Sequence, residues 1–188
     1  MIPPGKQTRI LDVGGTEHFW MNLYGGAIPR NIAITIVNLI HRPSEHPQIK
    51  ALAGDARDLS CFQAEEFDVC FSNSVIEHVG TLMDQKRMAA EIRRVAKRYF
   101  VQTPYRYFPI EPHFHVLGWA QMPVPVRVAM HRRFDLGWMN AQPDYALAKS
   151  DVEQIRLLSV REIQIMFPDA RLITEQLGPL VKSLVAIR

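Results

Sequence analysis

The chain is 188 residues long, 47% hydrophobic and 22% charged, with 22 Lys and Arg against 19 Asp and Glu for a formal net charge of +3. This is the composition of one globular domain with a full core and room for an insertion, and no apolar run approaches the roughly 20 residues that cross a bilayer. The charge is too mild to point to nucleic acid. Lys86, Arg87, Arg93, Arg94, Lys97 and Arg98 do cluster, but at the spacing of a solvated helix face and without an aromatic stacking motif beside them. Cys61 and Cys70 are isolated thiols without metal-ligand spacing, and the first six residues lack the apolar core of a secretory signal, so a reducing, cytoplasmic setting is expected.

In chain order, Arg9 to Val13 reads as a buried first strand that ends in Gly14-Gly15. The continuous β-branched run from Ile32 to Leu39 predicts a second strand covered on both faces. Gln48 to Ala53 is a shorter third strand, Phe67 to Ser72 a fourth, and Tyr99 to Thr103 a fifth, stopped at Pro104. Between the last two, Met88, Ala89, Ile92, Val95 and Ala96 recur at helical spacing within Asp84 to Arg98. Strands alternating with helix-sized gaps are the pattern of a doubly wound, mostly parallel sheet.

Residues 104–149 break that rhythm with six prolines, three histidines and two tryptophans. A long irregular segment inside a compact domain is usually a lid or binding loop, and its aromatic content argues against disorder. It is expected to form the acceptor-side wall of a site at the strand ends, with a membrane-surface or protein contact through residues 119–138 as the rival use. Regularity returns with a helix from Ser159 to Phe167, capped by Ser159. Ala170 to Leu177 and Ser183 to Ile187 then form a hairpin turned at Gly178-Pro179.

Three motifs carry the chemistry. Asp12-Val13-Gly14-Gly15-Thr16 ends the first strand, Gly54-Asp55-Ala56-Arg57-Asp58 ends the third, and Ser72-Asn73-Ser74-Val75-Ile76-Glu77-His78-Val79 ends the fourth. Glycine lets backbone approach a ligand closely, and open α/β sheets bind ligands beyond the carboxyl ends of their strands. Each motif has a purely structural reading too: Asp55 and Asp58 as turn or cap residues, and His78 as a packed histidine at a helix start. The G-x-G-x-x-G spacing of a dinucleotide fingerprint is missing, which leaves a hydride-transferring dehydrogenase a distant reading.

In this order and spacing, the three motifs resemble the class I, Rossmann-like S-adenosylmethionine-dependent methyltransferases of the type 11 group. The resemblance runs over nearly the whole chain. It implies a single-domain α/β fold with a seven-stranded sheet, mostly parallel with an antiparallel last strand, and a Pro/aromatic-rich insertion after the fifth strand. It implies S-adenosyl-L-methionine as cofactor, with Asp12 near the methionine ammonium and Gly14, Gly15 and Thr16 in the cofactor loop. Asn38 would face the ribose, Asp55 and the Ala56 backbone the adenine, and Ser72 and Asn73 would stand at the end of the fourth strand. The chain departs from the family pattern at Thr16 and His18, where glycines are common, and at Asn38, where an acid is usual. Aspartate at 38 is accordingly expected to tighten binding through charge-assisted hydrogen bonds. The segment after Leu39 is too short for the usual helix, and the N-terminal helix that often covers the cofactor is not expected.

Methyl transfer asks the protein chiefly for alignment, and an oxygen nucleophile of high pKa asks for a general base as well. His78, His113 and His115 are the candidates, with Tyr105, Arg106 and Glu111 as substrate-binding groups. No metal is expected, because the Glu111-Pro112-His113-Phe114-His115 cluster shows no further ligand nearby in sequence. The expected acceptor is a small molecule, a sugar or natural-product oxygen, since the insertion resembles those of family members associated with cell-surface polysaccharide biosynthesis. The alternative is a catalytically silent relative that binds the cofactor or a partner subunit.

Overall fold

A computed structural model describes residues 7–188; the amino-terminal segment read above for a signal lies outside them. Seven strands form one sheet: β1 (Thr8–Val13), β2 (Ile32–Asn38), β3 (Ile49–Ala53), β4 (Phe67–Asn73), β5 (Ala96–Pro104), β6 (Arg171–Leu177) and β7 (Leu180–Ile187). Their spatial order is β3-β2-β1-β4-β5-β7-β6. The first five strands are mutually parallel, and β7 runs antiparallel to both neighbours, β5 and β6. The doubly wound, mostly parallel sheet with a reversed last strand is therefore as expected.

Helices cover the two faces unequally. α1 (Glu17–Leu23) is capped by Thr16, whose side chain accepts from the Phe19 N–H, and it buries Trp20 on one face against Ile10, Ile34 and Ile36. On the other face, α2 (Leu82–Val95) starts with a capping box between Thr81 and Asp84 that satisfies two otherwise free N–H groups. Its buried residues Met88, Ala89, Ile92 and Val95 join α5 (Val160–Met166) in the main core. The same capping device, Ser159 with Glu162, starts α5. No helix lies between β2 and β3, in keeping with the short gap there, nor between β3 and β4.

The segment after β5 is ordered into a unit of its own. It holds a 3-10 turn at Trp119–Gln121 and two helices, α3 (Val124–His131) and α4 (Tyr145–Glu153). Phe114, Trp119, Val128, Ala148 and Val152 form a separate small core, with the Phe114 and Trp119 rings stacked at 4.2 Å. His131 is fully buried between the two helices and bonds to Asp151 at 3.0 Å. Sequence periodicity missed both helices because each is short and the first begins among prolines. Trp119 is buried here, so only Val126, Phe134 and Trp138 of the 119–138 stretch offer large apolar surface. Among the described residues, no helix is long and apolar enough to cross a membrane.

Candidate active site

The carboxyl ends of β1 to β4 converge on one cavity of about 540 Å³, within the range of small-ligand sites. Gly14, Gly15, Thr16, Asn38, Asp55, Ala56, Ser74, Val75 and His78 all line it. The glycine turn is demanded by its surroundings. Gly14 has φ +83°, and a Cβ there would sit 2.4 Å from Val75 Cγ2; a Cβ on Gly15 would sit 1.7 Å from Asp12 Oδ2. Substituting Thr16 for the second family glycine still leaves the turn intact and supplies the α1 cap.

Asp12 itself does not line the cavity. Its carboxylate lies beneath the turn, fully buried, and accepts from Trp20 Nε1 at 2.6 Å, while Oδ1 has no partner among the described residues. Burial pushes its pKa up to about 7, the Trp20 bond opposing only part of that shift. Ser72 is likewise buried and Asn73 is exposed, and neither lines the cavity. The chain reaches the cavity two residues later. Ser74 adopts φ +55°, its N–H and Oγ bonding to Gln102, and this turn swings Val75 and His78 to the wall.

At the far end, Asn38 Nδ2 donates to the Gly15 carbonyl at 2.9 Å, tying the end of β2 to the glycine turn. Asp55 is held by Arg57 through both carboxylate oxygens, at 2.6–3.0 Å, and this bond keeps its pKa below the usual carboxylate range. Leu39 and Ile40, both exposed, give the rim an apolar edge. Sequence reasoning missed Arg57, Leu39, Ile40, Ser74 and Gln154 as lining residues; adjacency to Asn38, Asp55 and Asn73 was the available signal for all but Gln154.

On the opposite wall, His78 meets His113 from the insertion, Nε2 to Nε2 at 3.1 Å with the rings edge to face. His113 Nδ1 bonds to buried Glu111 at 2.5 Å, and the other Glu111 oxygen accepts from the His113 and Phe114 N–H groups. Burial lowers the His78 pKa, reinforced by the His113 charge. For His113 burial also disfavours the charge, but the Glu111 bond and charge outweigh it and the pKa rises. Glu77, absent from the sequence-based candidates, is fully buried beside them. Its Oε2 accepts from Thr103 Oγ1 at 3.0 Å, and burial raises its pKa to about 7.

His78 does not begin a helix. It ends a 3-10 turn, Ile76–His78, pinned by Gln85 Nε2 donating to the Ile76 carbonyl and by the Arg156 N–H donating to the Glu77 carbonyl. His115 stands apart from the cluster, its ring against Trp138 at 5.2 Å. Arg106 and Glu111 line a separate cleft of about 150 Å³ with Arg127 and Arg156, and Tyr105 packs against the main core. The 104–149 segment therefore touches the principal site through His113, and does not contribute lining residues to the main cavity.

Residues 14–99 match a family model described as a methyltransferase domain. Solved structures share the fold over nearly the whole chain. The chain has the class I S-adenosylmethionine-dependent methyltransferase fold. A S-adenosylmethionine-dependent methyltransferase of Methanosarcina mazei superposes with a TM-score of 0.56 at 13% identity, covering 97% of this chain and 92% of the other. One from Aquifex aeolicus gives 0.54 at 11% identity, over 97% and 82%. A putative methyltransferase seen in complex with the Trm112 methyltransferase activator of Haloferax volcanii gives 0.56 at 12%, over 98% and 82%. No curated protein matches the sequence. S-adenosylmethionine is the cofactor of the methyltransferases that share this fold, and a cavity at the strand ends above a glycine turn suits it in size and position.

Proposed function

We propose that the chain transfers a methyl group from S-adenosylmethionine to an oxygen of a small-molecule acceptor, a sugar or natural product. The observation that carries this reading is the single cavity that gathers the glycine turn, Asn38, Asp55 and His78. Gly14, Gly15 and Thr16 would receive the methionine end, the free Oδ1 of Asn38 the ribose, and Asp55 with the Ala56 N–H the adenine edge. Leu39 and Ile40 would cover the adenine face. The bound cofactor supplies an electrophilic sulfonium methyl, so the chain's own task is to place the acceptor in line with it. His78 and His113 are the acceptor-side groups, with Glu111 orienting His113, while His115 drops out of the reading.

Asp55→Ala tests the placement. It should weaken S-adenosylmethionine binding by about 1.5 kcal/mol, the low end for a bond to a charged group, because the carboxylate is partly exposed. Calorimetric titration should find the wild-type chain binding S-adenosylmethionine and the variant about tenfold weaker. No binding at millimolar cofactor would favour the silent, partner-binding reading, for which the outward Val126, Phe134 and Trp138 are the supporting surface.

A further inference from the structure

Glu77, His78 and His113 each present a ligand atom, and these atoms all lie within 4.8 Å of one another. We propose that they hold a divalent transition-metal cation of the zinc type in the wall of the cofactor cavity. The site joins the two halves of the molecule: Glu77 and His78 come from the turn after β4, and His113 from the insertion.

The nitrogen spacing fits a shared ion. Two imidazole nitrogens bound at about 2.0–2.1 Å with angles of about 90–110° lie roughly 2.8–3.4 Å apart. The His78 and His113 Nε2 atoms are 3.1 Å apart. The tautomer fits as well. Glu111 is anchored by two backbone N–H groups and accepts from His113 Nδ1–H in the neutral tautomer, which leaves the Nε2 lone pair on the side of His78. A buried carboxylate behind a ligating histidine is the usual way to fix its orientation and raise its basicity.

Glu77 supplies the independent observation. It is fully buried, Thr103 satisfies one oxygen, and Oε1 has no partner among the described residues. An atom left in this state carries the desolvation penalty of its group uncompensated, and a cation among these three groups would answer it. The Gln85 and Arg156 bonds to the Ile76–Glu77 backbone hold the turn in place before any ion arrives. Two imidazoles and one carboxylate favour zinc, iron or cobalt over magnesium or calcium, and three protein ligands leave positions open. Because His78 lines the cavity, an open position there would take an oxygen of the acceptor. That last assignment rests on the methyltransferase reading; the metal site itself does not.

The test is titration of chelator-stripped protein with Co²⁺, followed by its visible absorption bands, and with Zn²⁺ by calorimetry. One equivalent should bind at micromolar affinity or tighter, and Zn²⁺ should displace Co²⁺. His113→Ala and Glu77→Gln should each weaken binding at least 100-fold. Glu111→Gln, which acts through His113, should weaken it about 10- to 100-fold. His46→Ala, on a distant loop, should leave it unchanged. Absence of stoichiometric binding, binding of Mg²⁺ but not Co²⁺, or wild-type affinity in folded His113→Ala would overturn the site. S-adenosylmethionine titration of the same samples separates the two readings: metal binding without cofactor binding overturns the function proposed above and leaves the metal site standing. Cofactor binding without metal does the reverse.

Discussion

The sheet half of this molecule and its inserted half are stabilised in different ways. The sheet buries long β-branched strands against α2 and α5 on one face and α1 on the other. The insertion, spanning about the stretch from Tyr105 to Leu158, wraps short helices and loops around Phe114 and Trp119. The first kind of stability comes from many repeated contacts along a regular lattice. The second depends on two stacked aromatics and on buried His131 bonded to a partly exposed Asp151. The candidate site lies where they meet: the sheet builds most of the main cavity, and the insertion brings Gln154 to its lining and His113 up to His78.

Trp119→Ala is the strongest way to break that contrast. Removing a fully buried tryptophan should cost about 3–5 kcal/mol and should fall on the insertion's small core. Hydrogen exchange should show protection lost around α3 and α4 but kept in β1, β4 and β5, with S-adenosylmethionine affinity within about threefold of wild type. Simultaneous loss in both halves would mean that they form one cooperative unit.

Gly15→Ala strikes the sheet half instead. The new methyl group meets the Asp12 carboxylate, and overpacking of this kind costs about 1–3 kcal/mol. Thermal denaturation should drop and cofactor binding should fail, while α3 and α4 keep their protection. Adding Asp12→Ala should restore part of the stability, because it removes the colliding group.

A third prediction uses pH. Asp12 titrates at about 7 in the folded chain, against about 4 when unfolded. The folded state therefore binds the extra proton between those values. The associated stability is complete below about pH 4 and is lost as pH rises through about 7. Urea midpoints of wild type and Asp12→Asn should diverge across that window by up to about 1.4 kcal/mol per pH unit, wild type losing ground as pH rises. Glu77 is raised for the same reason and remains in both proteins, so it cancels from the difference. A flat difference would place the Asp12 carboxylate in solvent.

The smallest expected effect is at Asn38. The sequence suggests that aspartate there would tighten binding, but the structure shows Nδ2 donating to the Gly15 carbonyl. Aspartate cannot donate and would face that carbonyl with a charge. Asn38→Asp should therefore weaken cofactor binding by about 1 kcal/mol, the net value of one hydrogen bond. Tighter binding by calorimetry would mean that the ribose contact outweighs the lost tie.

These cases mark what a sequence can tell. Most strands were legible as local apolar runs, with β1, β3, β5 and β6 stopped at Gly14, Gly54, Pro104 and Gly178, and the cavity was legible because Gly14, Gly15 and Asp55 follow their strands directly. The direction of the Asp12 carboxylate was hidden, since it depends on Trp20 packing from eight residues away. Ser72 was misplaced by two residues because the left-handed Ser74, not the strand itself, turns the chain toward the cavity. Glu77 and His113 are 36 positions apart in the chain, and only the packing of the insertion against the sheet brings them together. The helices of the insertion left no periodic trace long enough to read.

The strand order has a consequence for synthesis. β7 lies between β5 and β6, so residues 180–187 fill an interior place in the sheet. A nascent chain released only as far as β6 has an orphan strand and an open parallel edge at β5, and neither can pair until the last eight sheet residues emerge. Strands β1 to β5 can take shape on the ribosome, but the sheet cannot close until residue 187 has cleared the exit tunnel. A truncation into β7 would remove an interior strand, and β6, which pairs only with β7, would lose its place in the sheet.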